Sequence, residues 1–188
     1  MKTFIELGAC DFENLIPLLM AGWRGYFIEP IPRYMISLKN EIQNQNLEEN
    51  AIFDQCAISN IDGEIEMIVV SNPSEQWQRG ISHVKANGNK DFSSDLISLN
   101  DFDSESIIVR SMTLNQFLIK HDIKEIDVCK IDVEGHELVI LENYDWCIKP
   151  KYLKIEHKFV NDLKLVNLLN EKGYFVWQEH DDLYAILK

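Results

Sequence analysis

The chain is short of most of the signals that fix a function class quickly. Its four cysteines, Cys10, Cys56, Cys129 and Cys147, are scattered, with no CxxC pair and no zinc-like spacing. That pattern excludes a disulfide scaffold or zinc module and reads as reduced, buried thiols. No apolar run approaches the roughly 20 residues needed to span a bilayer. The first six residues, Met1 to Glu6, carry an acid where a signal peptide would need an apolar core, so a cytoplasmic protein without a membrane partner is expected. Basic residues are scarce: 18 Lys and Arg stand against 31 Asp and Glu, a formal charge of −13. A surface that acidic repels phosphate backbones and argues against a nucleic-acid partner. Glycine is also sparse, at eight residues, and none of them forms a GxGxxG run. The phosphate cradle of a dinucleotide fold is therefore missing, which counts against an NAD-dependent oxidoreductase.

What is present is a regular alternation. At 188 residues with 46% hydrophobic and 26% charged residues, the chain has the size and composition of one domain spanning 1–188. Thr3–Leu7 reads as a strand, Glu13–Ala21 as a helix, Gly25–Ile28 as a strand and Arg33–Gln43 as a helix. Ala51–Ile58 reads as a third strand. Asp62-Gly63 is a turn signal, and Ile65–Val70 follows as part of a hairpin or ladder step. Ile107–Arg110 is a further strand. A capping box, Thr113 with Gln116, opens a helix to about His121. Val128–Ile131 is a strand, Glu134–Tyr144 a helix, Tyr152–Ile155 a strand and Asp162–Glu171 a helix ending at Gly173. Tyr174–Gln178 and Leu183–Leu187 close the chain as an antiparallel pair. Repeated β–α units predict a mostly parallel sheet with helices on both faces. Residues 71–106 are polar and turn-rich, the pattern of a lid or substrate loop; they carry Trp77, Arg79, His83, Phe92 and Phe102.

In open α/β sheets, ligands collect beyond the carboxyl ends of the strands. Those ends carry polar residues here: Glu6 with Gly8, Ala9 and Cys10; Glu29 with Pro30; Cys56 and Ala57; Asp132 with Glu134; and Glu156 with His157. Gly8 is read as a close approach of backbone to ligand. Glu29 ends the second strand about twenty residues on, where a ribose-binding carboxylate belongs. Acids without a phosphate cradle suit a ligand with a ribose diol and positive charge, such as S-adenosylmethionine. His136, His121 and His180 read as surface residues.

Taken in order, Glu6-Leu7-Gly8-Ala9, Phe27-Ile28-Glu29-Pro30, Ala57-Ile58-Ser59 with Asp62-Gly63-Glu64, Thr113-Leu114 and the run Lys130-Ile131-Asp132-Val133-Glu134-Gly135-His136-Glu137 resemble the FkbM family of S-adenosylmethionine-dependent methyltransferases. The resemblance covers nearly the whole chain, and the Lys130–Glu137 run is its most specific part. It implies a Rossmann-like class I methyltransferase fold: a mostly parallel seven-stranded sheet, helices on both faces and a C-terminal antiparallel hairpin. It also implies methylation of a hydroxyl on a glycan or small metabolite. Cys10 and Phe12 stand where family members often have Asn and Gly. The chain begins at its first strand, so closure of the site is expected from 71–106 or from a second subunit, which would make a homodimer.

On that reading the cofactor contacts are Glu6, Gly8, Ala9, Cys10, Glu29, Pro30, Cys56, Ala57 and Asp132. The catalytic set is Asp132, Glu134 and His157. Asp132 or His157 takes the hydroxyl proton and Glu134 orients the substrate. The same three residues would suit Mg²⁺ or Mn²⁺, although no metal is predicted. A module that binds an adenosyl ligand without turnover is the other reading.

Overall fold

Alternating buried and exposed positions resolve into two sheets rather than one. The computed structural model describes residues 1–12, 14–85 and 103–188. Phe92, Phe102 and the expected helix start at Glu13 lie outside the described residues.

The first elements are β1 (Thr3–Leu7), α1 (Ile16–Met20), β2 (Arg24–Ile28), α2 (Pro32–Asn44) and β3 (Ala51–Asp54). After an excursion the chain returns through α4 (Leu114–Lys120), β8 (Val128–Ile131), α5 (Glu137–Glu142), β9 (Tyr152–Glu156), α6 (Asp162–Glu171), β10 (Tyr174–Glu179) and β11 (Asp182–Leu187). These strands form a seven-stranded sheet in the order β10-β11-β9-β8-β1-β2-β3. β1 pairs parallel to both β2 and β8, so the strand order reverses there. β11 runs antiparallel to its neighbours β10 and β9. This is the expected class I methyltransferase-like arrangement, C-terminal hairpin included.

Helices pack on both faces. Leu19 of α1 and Leu38 and Ile42 of α2 bury against Phe4 and Phe27. On the other face Phe117, Leu138, Leu141, Leu165 and Leu169 meet Ile5, Leu7, Ile131 and Ile155. Each helix is short and docks by an apolar stripe, so tertiary packing rather than intrinsic propensity holds it.

The excursion corrects two expectations. Residues 51–58 are not one strand: the chain turns after Asp54, and β4 (Ala57–Ser59) enters a second sheet. That sheet also contains β5 (Gly63–Val70), β6 (His83–Val84) and β7 (Ser104–Thr113), in the order β4-β7-β5-β6. β7 lies between β4 and β5, so Asp62-Gly63 is a turn but not the tip of a hairpin between adjacent strands. Residues 71–106 also hold α3 (Gln76–Gly80), which opens on a capping box between Glu75 and Gln78. Met67, Val69 and Val109 of the second sheet pack on Cys10, Ile31 and Tyr34. The second sheet thereby roofs the carboxyl edge of the first.

Candidate functional site

A cavity of about 290 Å³ lies between the strand ends of the first sheet and the second sheet with α3. Its walls combine the turn after β1, the end of β2, the β3–β4 junction, α3 and the ends of β8 and β9.

The first turn is shaped by the chain itself. Gly8 has φ +75°, and a Cβ there would fall 1.8 Å from the carbonyl oxygen of Asp132. The glycine is needed because the backbone just past β8 runs against it, a packing reason that stands beside the ligand approach expected from the sequence. The N–H groups of Gly8 and Ala9 both donate to the Ile28 carbonyl, closing the turn onto β2. Cys10 then adopts a left-handed φ of 44°. Its N–H donates to Glu29 Oε2 at 2.9 Å, while the N–H of Ile31 donates to Glu29 Oε1 at 2.7 Å. Glu29 is almost fully buried, and burial pushes its carboxyl up to about 7 against those two hydrogen bonds.

Glu6 is completely buried and takes the N–H of Leu15 at 2.8 Å, so it tethers the start of α1. Its other oxygen meets Lys130 Nζ at 3.2 Å. Burial raises the Glu6 carboxyl, with Lys130 opposing the rise. Lys130 Nζ also lies 3.4 Å from Asp132 Oδ2, so one buried ammonium bridges β1 and the end of β8.

Beyond Lys130 the acids converge. Asp132, Glu134 and Glu156 each offer an oxygen, and these atoms lie within 4.8 Å of one another. Strand alternation explains the set. Ile131 and Ile155 are register partners and face the core, so Asp132 and Glu156, one residue on, turn to the cavity together. Glu134 reaches it through strain: it has φ 53° and is followed by Gly135 at φ 92°. The expected helix from Glu134 therefore begins only at Glu137. Glu137 is 1% exposed, and its Oε1 accepts from the N–H groups of Val133 and Gly135 at 2.9 and 3.2 Å. Burial raises Glu134 and Glu156 well above the usual carboxylate range. Asp132 and Glu137 push each of them further, Glu156 adds to the rise at Glu134, and Lys158 offsets both. Burial pushes Glu137 up to about 7.

α3 covers the cavity. Arg79 pairs with Asp11 at 2.9 Å and stacks over the Phe12 ring at 5.6 Å. Gly80 sits close to both Phe12 and Glu134, since a Cβ there would be 3.1 Å from Phe12 and 3.7 Å from Glu134 Oε1. Phe12, a departure from the family pattern, is thus the ring on which the cover rests.

Of the residues expected from sequence, Gly8, Cys10, Glu29, Pro30, Cys56, Ala57, Asp132 and Glu134 line this cavity. Glu6, Ala9 and His157 are not among its lining residues. His157 Nδ1 pairs with Asp162 at 2.7 Å, a partner on α6. Trp77 and Arg79 line the cavity, whereas His83 is buried with its Nδ1 at the Ile81 carbonyl. The sequence placed Glu156 at a strand end and Lys130 in the family run without giving either a role in the site, and it passed over Tyr34 and Lys158; all four line the cavity. Alternation along β9 is the signal that selects Glu156 over His157, and a lysine inside Val-Cys-Lys-Ile is the signal for Lys130. Two further histidines are not the surface residues expected. His121 Nε2 meets Asp54 at 2.9 Å and is largely buried. His136 Nε2 meets Ser59 Oγ at 2.9 Å, and burial lowers its pKa to about 4. Cys10, Cys56 and Cys129 are buried free thiols, but Cys147 is exposed. No helix among the described residues is long and apolar enough to cross a membrane.

Comparison with known proteins agrees with this architecture. The structure of methyltransferase FkbM from Methylobacillus flagellatus KT superposes with a TM-score of 0.60 at 16% identity, over 98% of this chain and 43% of that one. Magnesium protoporphyrin IX methyltransferase from Synechocystis PCC 6803, solved with bound S-adenosylmethionine, gives a TM-score of 0.51 at 10% identity, over 98% of this chain and 69% of that one. At those identities the likeness is one of fold. The chain spans less than half the length of the Methylobacillus protein. No curated protein matches it. The family model described as the methyltransferase FkbM domain matches residues 6–185, nearly the whole sequence, and the chain belongs to that family.

Proposed function

We propose that the chain is an S-adenosylmethionine-dependent methyltransferase acting on a hydroxyl oxygen of a glycan or small metabolite. The observation that carries this reading is one cavity lined by both the Glu29 carboxylate and the Asp132–Glu134–Glu156 cluster. The residues fit the cofactor. Each Glu29 oxygen accepts one backbone N–H and keeps a lone pair for a ribose hydroxyl. Cys56, Ala57, Ile58 and Met67 supply an apolar wall for a purine ring. Gly8 is filled from behind by the Asp132 carbonyl, so the turn offers no cradle for a pyrophosphate. When bound, S-adenosylmethionine supplies an electrophilic methyl group on a sulfonium.

The chain's own contribution is alignment, desolvation and handling of the acceptor proton. Asp132, anchored by Lys130, accepts the hydroxyl proton, and Glu134 orients the acceptor. His157, turned toward Asp162, takes no part. Arg79 and Phe12 hold α3 over the reacting groups and keep water out. Trp77, half exposed at the cavity wall, offers a ring face to a sugar. Calorimetry with S-adenosylmethionine and with NAD tests the cofactor, and NAD binding alone would overturn the reading. A labelled-methyl screen over sugars, lipids and polyketides tests the acceptor. Full turnover by Asp132→Asn on the acceptor found would remove Asp132 as the base.

A further inference from the structure

We infer that Asp132, Glu134 and Glu156 form a binding site for one divalent cation of the Mg²⁺ or Mn²⁺ type. Three observations lead there. The first is geometry: one oxygen from each of the three lies within 4.8 Å of the others. Oxygens bound to one Mg²⁺ at about 2.0–2.1 Å lie at most about 4.2 Å apart, so a shift of a few tenths of an ångström in the carboxylates brings all three to a single ion.

The second is the state of the buried carboxylate oxygens. Oε2 of Glu134 and Oε2 of Glu156 are sealed from solvent and accept no hydrogen bond among the described residues. Glu137, 1% exposed, also has a buried Oε2 with no partner. Its Oε1 is pinned by the peptide N–H groups on either side of Glu134, which holds the carboxylate inside the turn that carries Asp132 and Glu134. Its charge acts on Asp132, Glu134 and Glu156 alike. Buried acceptors without donors are rare in folded chains and mark a place where a cation or a proton belongs.

The third is charge. Glu6, Asp132, Glu134, Glu137 and Glu156 gather around two ammonium groups: Lys130, shared between Glu6 and Asp132, and Lys158 at the cavity wall. Two cations do not balance five carboxylates. Among the described residues the donor set is all oxygen, with no thiolate or imidazole in the group, which selects a hard ion over zinc or copper. Glu134 holds its place by a left-handed backbone, and such strain persists only where the surroundings impose it.

The role of the ion rests on the methyltransferase reading; its binding does not. Each carboxylate gives one oxygen and keeps its second. The ion would position the acceptor hydroxyl and make it more acidic, with the second oxygen of Asp132 left for the proton.

Manganese alone is the probe. Electron paramagnetic resonance titration of the metal-free chain should show one Mn²⁺ bound per chain and displaced by Mg²⁺. Glu156→Gln and Glu134→Gln should each weaken that binding at least about tenfold, while Glu125→Gln, on a surface pair with Lys151, leaves it unchanged. Millimolar Mg²⁺ should raise the melting temperature of the parent chain and not of the two Gln variants. Melting in chelator shows that the variants fold: removing one of several crowded carboxylates should leave them at least as stable as the parent. If Mn²⁺ binds the parent no tighter than the variants, or Mg²⁺ leaves its melting unchanged, the acids share protons instead and the site is disproved. S-adenosylmethionine binding, measured on the same samples in chelator, separates the outcomes. Cofactor binding without Mn²⁺ binding overturns the ion alone, and Mn²⁺ binding without cofactor binding overturns the methyltransferase reading alone.

Discussion

At Gly8 a single methyl group decides whether β1 and β8 can lie side by side. A Cβ would sit 1.8 Å from the Asp132 carbonyl, and φ +75° is strained for any other L residue. Neither strand can yield without breaking the central ladder. Gly8→Ala should therefore lower stability by more than about 3 kcal/mol, or abolish folding, read as a shift of the urea midpoint. An unchanged midpoint would show that the turn relaxes freely. Glu29 makes a different residue-scale prediction. Its folded carboxyl lies near 7 against an ordinary 4.5, so between those values the native state holds a proton that the unfolded chain has released. Stability from this group is full below about pH 4.5, falls as pH rises to about 7, and is flat above that. The difference is worth about 3 kcal/mol at roughly 1.4 kcal/mol per pH unit. The buried acids of the cavity act in the same direction, so the informative quantity is the difference between parent and Glu29→Gln, which should shrink as pH rises through that window. A constant offset would mean that Glu29 is ionised throughout. If ribose hydroxyls donate to the carboxylate, S-adenosylmethionine affinity should run the opposite way, weakening as pH falls below about 7.

Asp54 organises the scale of elements. It ends β3, where the chain leaves the first sheet, and it is nearly fully buried. It pairs with Arg110 of β7, Lys120 of α4 and His121 just beyond α4. One carboxylate thus ties the second sheet and α4 to the rim of the first. Burial alone would raise its pKa, but the hydrogen bonds from Lys120 and His121 and the Arg110 charge outweigh burial and hold it below the usual range. The stability it contributes is present above the unfolded value and lost as pH falls through the folded one. Asp54→Asn should cost about 2–3 kcal/mol near neutral pH, because the basic partners would face a neutral, partly unsatisfied amide. Chemical denaturation of the two chains would measure it, and a loss below about 0.5 kcal/mol would mean that the partners find water instead. The same scale explains why α5 is shorter than its apolar pattern. The Glu134-Gly135 pair takes left-handed dihedrals, so the helix cannot start until Glu137.

At the scale of the whole molecule, α3 is the bridge between the second sheet and the first turn. Arg79 bonds Asp11, stacks on Phe12 and places its carbonyl 3.9 Å from the Cys10 thiol. The Arg79–Asp11 pair is only partly shielded, so about 1 kcal/mol is a fair value. Arg79→Ala should then speed labelling of Cys10 by a disulfide reagent roughly fivefold, through easier local opening. The exposed Cys147 should react first in both proteins, at the same rate. Equal Cys10 rates would show that the second sheet stays seated without the pair.

The β–α alternation, the closing hairpin and most strand ends of the site could be read from residue order alone. Apolar periodicity, caps and turn residues act over a few positions, and parallel strands joined by helices have few ways to stack. Glu29 and Asp132 were legible for the same reason, since a strand's carboxyl end is a local property. Three features came only with the tertiary structure. Glu156 and not His157 joins Asp132, because register between β8 and β9 sets which side chain turns inward. The β4-β7-β5-β6 sheet is tied to the rim of the first by Asp54, whose basic partners lie 56 to 67 positions away. Gly8 answers to the β8 backbone, a contact 124 residues distant that no local pattern records.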